Sequence, residues 1–190
     1  MKKTVFFTLM IVLSIVFAAQ FAASDEGREH DDDDMLDKVF KRSTDVSMVS
    51  NATYREECGS CHMPYPAGLL PARSWQQLMG SLDDHFGDNA ELDAQPHKEV
   101  SDYLLANSAD QADARRSQKI MRSLKSDETP LRITDTAYFR REHHDIPDKM
   151  VKGNAEVKSF SNCNACHQRA EQGSFSEREI RIPGYGRWDD

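Results

Sequence analysis

Two cysteine pairs of identical spacing place the strongest constraint on what this chain can fold into. Residues 58–62 read CGSCH and residues 163–167 read CNACH, so a histidine directly follows each C-x-x-C pair. The 190 residues contain 4 cysteines, and all of them belong to these two pairs. Four cysteines in a secreted chain usually form two disulfides, but the histidine after each pair indicates a different chemistry.

The pattern C-x-x-C-H is the attachment signature of c-type haem. On one helical turn, the two thiols reach the two vinyl groups of one porphyrin, and the adjacent histidine points its imidazole at the iron. The sequence therefore predicts two covalently attached haem c groups. The residues that would attach haem and bind iron are Cys58, Cys61, His62, Cys163, Cys166 and His167.

Three other uses of two C-x-x-C pairs compete with this prediction. The pairs of a zinc site usually lie about 15 to 20 residues apart, whereas about 100 residues separate Cys61 from Cys163. A redox dithiol does not need the histidine that follows each pair, and neither does a small disulfide. Covalent haem is therefore the preferred interpretation.

Each haem iron needs a second axial ligand or keeps an open position. His85 lies on the apolar face of a helix predicted over 74–87, at a distance that lets this helix return over the first haem. His97, in the next predicted helix, is the second choice. His143 and His144 lie before the second motif, and only one of the two can face an iron. The less favoured candidates are His30, Met63, Met79, Met121 and Met150.

The start of the chain resembles a targeting segment. Lys2 and Lys3 are followed by an apolar run, residues 5–19, and by small residues up to Ala23. These features predict a secretory signal peptide over 1–23. An uncleaved anchor is the alternative, because about 20 such residues can span a bilayer. Both interpretations place the rest of the chain outside the cytoplasm, and we expect a periplasmic protein without a membrane span after signal cleavage.

Charge separates the next segment from the rest of the chain. Residues 24–48 are predicted to be an acidic, partly disordered spacer, because the run Asp31–Asp34 repels itself and stays solvated. A docking patch for a cationic partner is the alternative. The formal net charge of the whole chain is -8, which disfavours nucleic acid and anionic lipid as partners and favours a basic protein surface.

Local patterns predict a mainly α fold with two small haem-binding helical domains, 49–126 and 127–190. Ser74 and Gln77 have the form of a capping box at the start of a helix. We find no convincing strand, and Pro183 precedes an irregular tail. Hydrophobic residues make up only 38% of the chain, so haem is expected to fill part of the interior. Helices are predicted over 51–61, 74–87, 93–107, 110–124, 134–142 and from the second motif to about residue 172.

Four stretches of the sequence resemble the proteobacterial dihaem cytochrome c (DHC) family. They are residues 57–75, ECGSCHMPYPAGLLPARSW, followed by 84–87, DHFG, by 162–167, NCNACH, and by 181–183, RIP. The resemblance covers nearly all of the predicted mature chain, and the first stretch is very specific. It implies two low-potential haems, each with two histidine ligands, and an N-terminal part like a class I cytochrome c.

The resemblance also implies which histidines complete the two sites. It assigns His85, and not His97, to the first haem, and it assigns His143, four residues before Pro147, to the second. His144 stands where the family has an acidic residue, so it stays the alternative to His143. Relatives pass electrons between a membrane cytochrome b and small soluble haem proteins, and the resemblance implies redox partners of these kinds.

Three functions of different classes fit parts of these observations. The first is an electron carrier with every coordination position filled. The second is a small dihaem peroxidase or reductase, which needs one open haem iron. The third is a zinc-stabilised interaction module. Beyond His143 and His144, the sequence shows no clear constellation for acid–base catalysis, so we expect a carrier and not an enzyme.

Overall fold

Six short α-helices form most of the regular structure in the part of the chain that the computed structural model describes, residues 45–188. The helices are α1 (Ala52–Gly59), α2 (Ala72–Met79), α3 (Ala94–Ala106), α4 (Arg115–Ser123), α5 (Ala137–Glu142) and α6 (Asp148–Val151). The 3₁₀ turns are Ala67–Leu69, Leu82–Asp84, Ile133–Asp135, Cys163–Ala165, Ala170–Gln172 and Glu177–Glu179. Two short strands, β1 (Arg181–Ile182) and β2 (Gly186–Arg187), pair in antiparallel register. The expected mainly α fold is confirmed.

The chain divides into two units, Met1–Arg42 and Ser43–Asp190, and all described residues belong to the second. The predicted signal peptide, residues 1–23, lies outside the described residues, as does the predicted spacer up to residue 44. Val46, which falls within the predicted spacer, is fully buried. Among the described helices, none has the length and apolar character needed to cross a membrane.

Helix α1 begins where the sequence predicts it because a side chain caps it. The side chain of Asn51 accepts a hydrogen bond of 2.7 Å from the backbone N–H of Tyr54, which satisfies one of the donors that a helix start leaves free. The helix ends at Gly59, before the second cysteine of the motif. Helix α3 agrees with its predicted range to within one residue at each end, while the division into two haem domains at residue 126 stays a prediction.

The helix predicted over 74–87 is wrong at both ends. Helix α2 begins two residues earlier, with Pro71 at its N-cap, and Ser74 is buried inside it and caps nothing. It ends at Met79 because Gly80 has a poor helix propensity, and because the hydroxyl of Ser81 donates to the Gln77 carbonyl at 3.0 Å. A serine that bonds a backbone carbonyl in this way competes with helix continuation.

The final predicted helix, through the second motif to residue 172, is also wrong. Two 3₁₀ turns, Cys163–Ala165 and Ala170–Gln172, take its place. Gly173 stops the second turn in the left-handed region, at φ 75°, and a Cβ there would lie 2.3 Å from the carbonyl oxygen of Val46. The hairpin of β1 and β2 escapes prediction because strands of two residues carry no readable alternation.

Two clusters of buried side chains support the fold on either side of the first motif. Tyr54, Trp75 and Leu104 are at the centre of the first cluster, between α1, α2 and α3. The indole N–H of Trp75 donates to the Ala67 carbonyl at 2.7 Å, so its polar atom is satisfied although the ring is buried. The second cluster joins distant parts of the chain through Val46, Leu69, Ile120, Tyr138 and Phe175. Each cluster is open on one side, toward a cavity.

Candidate haem sites

The first cavity lies beside the motif at residues 58–62. It is an open space of about 1120 Å³, and most of its wall is apolar, as in sites that hold a large organic group. Cys58 and His62 contribute to one side of the wall, and His85 lies across from them. The apolar and aromatic wall residues include Tyr54, Leu70, Trp75, Leu78, Met79, Leu82 and Leu104.

His62 and His85 face each other across this cavity. Their ring centroids are 6.3 Å apart, and the ring planes differ by 21°. A metal–imidazole bond is about 2.0 Å long, and the ring centre lies about 1.1 Å beyond the nitrogen, given ring bonds of about 1.33 Å. Two imidazoles on opposite sides of one metal are therefore about 6.2 Å apart. The observed spacing fits one iron between these rings.

His85 reaches the cavity from a tight turn and not from a helix. The backbone N–H of His85 donates to the Asp88 carbonyl at 2.7 Å, and the backbone N–H of Gly87 donates to the Asp84 carboxylate at 3.0 Å. Gly87 has φ 102°, and Phe86 has φ 59°, which is uncommon for a residue with a side chain. The turn therefore holds His85 in place through backbone conformations that few residues other than glycine adopt.

The second cavity lies beside the motif at residues 163–167 and has an open volume of about 1060 Å³. His143 and His167 face each other within it, with ring centroids 6.0 Å apart and an angle of 72° between the planes. This distance is also close to that of two imidazoles on one iron. The apolar and aromatic wall residues include Leu69, Ile120, Val151, Val157, Phe160, Phe175 and Ile182.

Hydrogen bonds leave the metal-binding nitrogens of two rings available. Nδ1 of His62 lies 2.8 Å from the Met63 carbonyl oxygen, and Nδ1 of His143 lies 2.9 Å from the Phe139 carbonyl oxygen. Because a carbonyl only accepts, Nδ1 carries the hydrogen, and Nε2 keeps its lone pair for a metal. Nδ1 of His85 and Nδ1 of His167 are buried without a hydrogen-bond partner.

Burial keeps His85 and His167 neutral near pH 7. The pKa of His167 is lowered to about 4, mainly by burial, with smaller contributions from the neighbouring His143 and Arg116. The pKa of His85 is also lowered, first by burial and then by the neighbouring His62. A neutral imidazole is the form that binds a metal, so both rings are ready to act as ligands near pH 7.

The same burial disfavours the two rival chemistries of the cysteines. It raises the pKa of Cys58 to about 11, with the negative charge of Glu57 as the second cause. Burial likewise raises the pKa of Cys163 to about 11. Redox cysteines need a lowered pKa because the thiolate is the reactive form. No disulfide joins the four cysteines, and the described residues contain no cluster of three or more His, Cys, Asp or Glu side chains that could hold a metal ion such as zinc.

The other candidate ligands lie away from the two histidine pairs. Nε2 of His97 is 2.8 Å from the Met79 carbonyl oxygen, and His97 lines neither cavity. The side chain of His144 is 68% exposed, and its Nε2 is 3.2 Å from the Asp145 carboxylate. Among the methionines, Met79 lines the first cavity, while Met63, Met121 and Met150 line neither cavity. His30 lies outside the described residues.

Two aromatic residues outside the predicted set of ligands support the sites. Phe139 stacks on His143, with ring centroids 3.9 Å apart, and Tyr65 stacks on His62, with ring centroids 4.8 Å apart. The position of Phe139 could have been inferred, because a residue four positions before His143 shares its face of a helix. No pattern indicates the contact of Tyr65, since it belongs to a loop.

Comparisons with known proteins identify similar chains. Residues 54–175 match the family described as dihaem cytochrome c. A crystal structure of a dihaem cytochrome c from Shewanella baltica is 44% identical, with a TM-score of 0.61, over 75% of this chain and 100% of that one. A dihaem cytochrome c from Rhodobacter sphaeroides is 43% identical, with a TM-score of 0.62, over 68% of this chain and 100% of that one. No match was found among curated proteins.

The family match spans more than half of the chain, and the similar structures are covered over their whole length. The first motif contributes Cys58 and His62 to the wall of one cavity, whereas Cys61 is exposed and lines neither cavity. The second motif contributes Cys163, Cys166 and His167 to the wall of the other. The family supports a role in haem electron transfer with redox proteins as partners. This chain belongs to the dihaem cytochrome c family, and it carries two covalently attached haem c groups.

Proposed function

We propose that this chain is a periplasmic one-electron carrier in which two histidines bind each haem iron. The observation that carries the proposal is the pair of facing imidazoles in each cavity, with centroid distances of 6.3 Å and 6.0 Å. His62 and His85 would bind the first iron, and His167 and His143 the second. The lowered pKa values of His85 and His167 support these roles, because neither ring has to lose a proton at neutral pH before it binds.

Filled coordination suits a carrier for two reasons. When bound, haem supplies an iron that gains and loses a single electron. Rigidly held ligands on both sides mean that little has to move when the charge changes, and they also exclude oxygen and peroxide from the iron. A small dihaem peroxidase or reductase would instead need one open position. A facing histidine in each of the two cavities therefore favours the carrier.

The choice of axial ligands also influences whether the reduction potentials of the haems are high or low. Methionine in place of one histidine raises the reduction potential of a haem, so two histidines at each iron favour low potentials. Met79 lines the first cavity, but its backbone is held by His97 and its side chain packs in the first cluster. These contacts favour a packing role for Met79 and leave the ligand role to His85.

The sequence and the family support the proposed redox partners and the proposed periplasmic location. A signal peptide over 1–23 would deliver the chain to the periplasm, where c-type haem proteins work. A formal net charge of -8 favours partners with a basic surface. The family resemblance adds a membrane cytochrome b and a small soluble haem protein as the donor and the acceptor.

Carbon monoxide tests the proposal directly. It binds ferrous haem only where a coordination position is open or easily opened. The reduced protein with two haems should therefore keep its visible spectrum under carbon monoxide, and the oxidised protein should give low-spin EPR signals from both irons. Strong carbon monoxide binding by the unmodified protein would instead favour the peroxidase or reductase.

A further inference from the structure

The two cavities share part of their walls. Ile133, Phe139 and Cys163 line both of them. Cys163 is a covalent attachment point for the second haem and at the same time a wall residue of the first site. The two sites are therefore neighbours that share the wall formed by Ile133, Phe139 and Cys163.

Tyr65 connects the first site to this region. Its ring stacks on His62, with centroids 4.8 Å apart and 23° between the planes. Its hydroxyl donates a hydrogen bond of 2.6 Å to the carbonyl oxygen of Ser161, which is 96 residues away in sequence. One side chain thus contacts the first motif directly and the backbone just before the second motif.

The Ser161 carbonyl completes the connection to Cys163. Its oxygen lies 3.7 Å from the sulfur of Cys163, in addition to its hydrogen bond with Tyr65. Once haem is attached, Cys163 is a thioether, and its covalent bonds continue the path.

We propose that Tyr65 positions the two haem sites for electron exchange, through its ring on His62 and its hydroxyl on the Ser161 carbonyl. The inference rests on the proposed function, because it assumes that His62 binds the first iron. The exchange needs no other reactant, because one iron would go from ferrous to ferric while the other goes from ferric to ferrous. No proton is transferred, and no bond forms or breaks. Electronic coupling decays more slowly along covalent and hydrogen bonds than across gaps, which favours this path.

Phe139 offers a competing path for electron exchange between the two sites. It stacks on His143 and lines the first cavity, but no hydrogen bond of its side chain connects the two sites. Tyr65, by contrast, touches a proposed ligand of one site and is bonded to the backbone two residues before the anchor of the other. The two paths predict different sensitive residues, so variants can separate them.

The test compares three variants of the full chain with both haems attached. Tyr65→Phe removes only the hydroxyl, and Tyr65→Leu removes the aromatic ring as well. Tyr103→Phe is the matched control, because Tyr103 lines neither cavity and its hydroxyl accepts a hydrogen bond from Ser50 on the protein surface. For each variant, mass spectrometry gives the haem count, a redox titration gives both midpoint potentials, and transient absorption of half-reduced protein gives the exchange rate.

We expect Tyr65→Phe to exchange electrons severalfold more slowly than the unmodified protein at unchanged potentials, and Tyr103→Phe to exchange at the original rate. Tyr65→Leu should be slower still, and if it fails to take up two haems, Tyr65→Phe decides alone. An unchanged rate in Tyr65→Phe with two haems, or a slower rate explained by shifted potentials, would overturn the inference. Open coordination at an iron of the unmodified protein would overturn the proposed function instead, and carbon monoxide detects it independently.

Discussion

Phe139 holds His143 in two ways at once: its carbonyl oxygen lies 2.9 Å from Nδ1 of His143, and its ring stacks on the imidazole at 3.9 Å with an angle of 12°. The hydrogen bond fixes which nitrogen carries the proton, and the stacking fixes the plane of the ring. Such support orients a metal ligand before the metal arrives. The adjacent His144 also has a backbone carbonyl near its Nδ1, that of Arg141 at 2.8 Å, but its side chain is 68% exposed beside Asp145.

This difference predicts the outcome of replacing each histidine of the pair. His143→Ala should open one iron, so that carbon monoxide binds to about half of the haem in the reduced protein. His144→Ala should leave the spectrum unchanged under carbon monoxide, because its imidazole is 68% exposed. Optical titration with carbon monoxide distinguishes the two variants. The reverse pattern would assign the ligand role to His144.

A matched pair of variants also tests the first site. His85→Ala should open the first iron to carbon monoxide, whereas His97→Ala should not, because Nε2 of His97 bonds the Met79 carbonyl away from the cavity. His85→Met should raise the midpoint potential of one haem and leave the other almost unchanged, since methionine ligation raises the potential. A redox titration checks the shift. A spectral change in His97→Ala alone would mean that His85 is not the ligand.

Alkaline pH should destabilise the folded chain through its buried phenols. Burial raises the pKa of Tyr54 well above its usual value near 10, with the charge of Cys58 as a smaller cause. Above about pH 10 the unfolded phenol loses its proton while the folded one keeps it, so the unfolded state binds fewer protons and the free energy of unfolding falls as pH rises. Below pH 10 this contribution is fully present. Urea unfolding between pH 8 and 11 measures the decline.

Tyr54→Phe is the control for this pH dependence. It should show a shallower decline above pH 10, although Tyr65, whose pKa is raised to about 12, still contributes. At pH 7 the variant should be less stable by about 1 kcal/mol, because it loses the hydrogen bond of 2.8 Å from the Tyr54 hydroxyl to the Tyr65 carbonyl. An equally steep alkaline decline in the variant would contradict the assignment to Tyr54.

Asp45 should contribute strongly to stability although it lies at the edge of the described chain. Its carboxylate accepts hydrogen bonds from the Arg116 guanidinium at 3.1 Å and from the Phe175 N–H at 2.8 Å. Asp45→Ala should lower the free energy of unfolding by about 1–3 kcal/mol, because the Phe175 N–H loses its acceptor and the Arg116 guanidinium loses its carboxylate partner while it keeps its bonds to Tyr138 and Phe175. Exposed Asp113, replaced by alanine, should change it by less than about 0.5 kcal/mol. Equal urea midpoints for the two variants would refute this role.

The chemistry of the two motifs could be predicted because it depends on local spacing. A helical turn or a 3₁₀ turn suffices to bring both cysteines and the following histidine together, so the wrong helix at Cys163 did not affect the haem prediction. The mainly α fold and the range of α3 also follow from local patterns. His85 was selected for a helical face that does not exist, yet it lies opposite His62 because the turn after Leu82–Asp84 returns it there.

The long-range contacts could not be predicted. The bond from Tyr65 to Ser161 joins residues 96 apart, and no periodic pattern encodes such a pairing. The shared wall at Ile133 and Phe139 depends on how the two halves pack, which a single sequence does not reveal. Left-handed Gly173 is a similar case, since its carbonyl accepts hydrogen bonds from the distant Asp45 and Val46.

The position of Gly173 against Val46 limits how the chain can be processed. The N–H groups of Asp45 and Val46 both donate to the Gly173 carbonyl, and the absence of a side chain on Gly173 lets the two backbones meet. A protease that trims the N-terminus up to residue 44 leaves this contact whole, whereas trimming by two further residues removes Val46 from the second cluster. Any trimming that preserves this contact must therefore leave an N-terminus at or before Asp45.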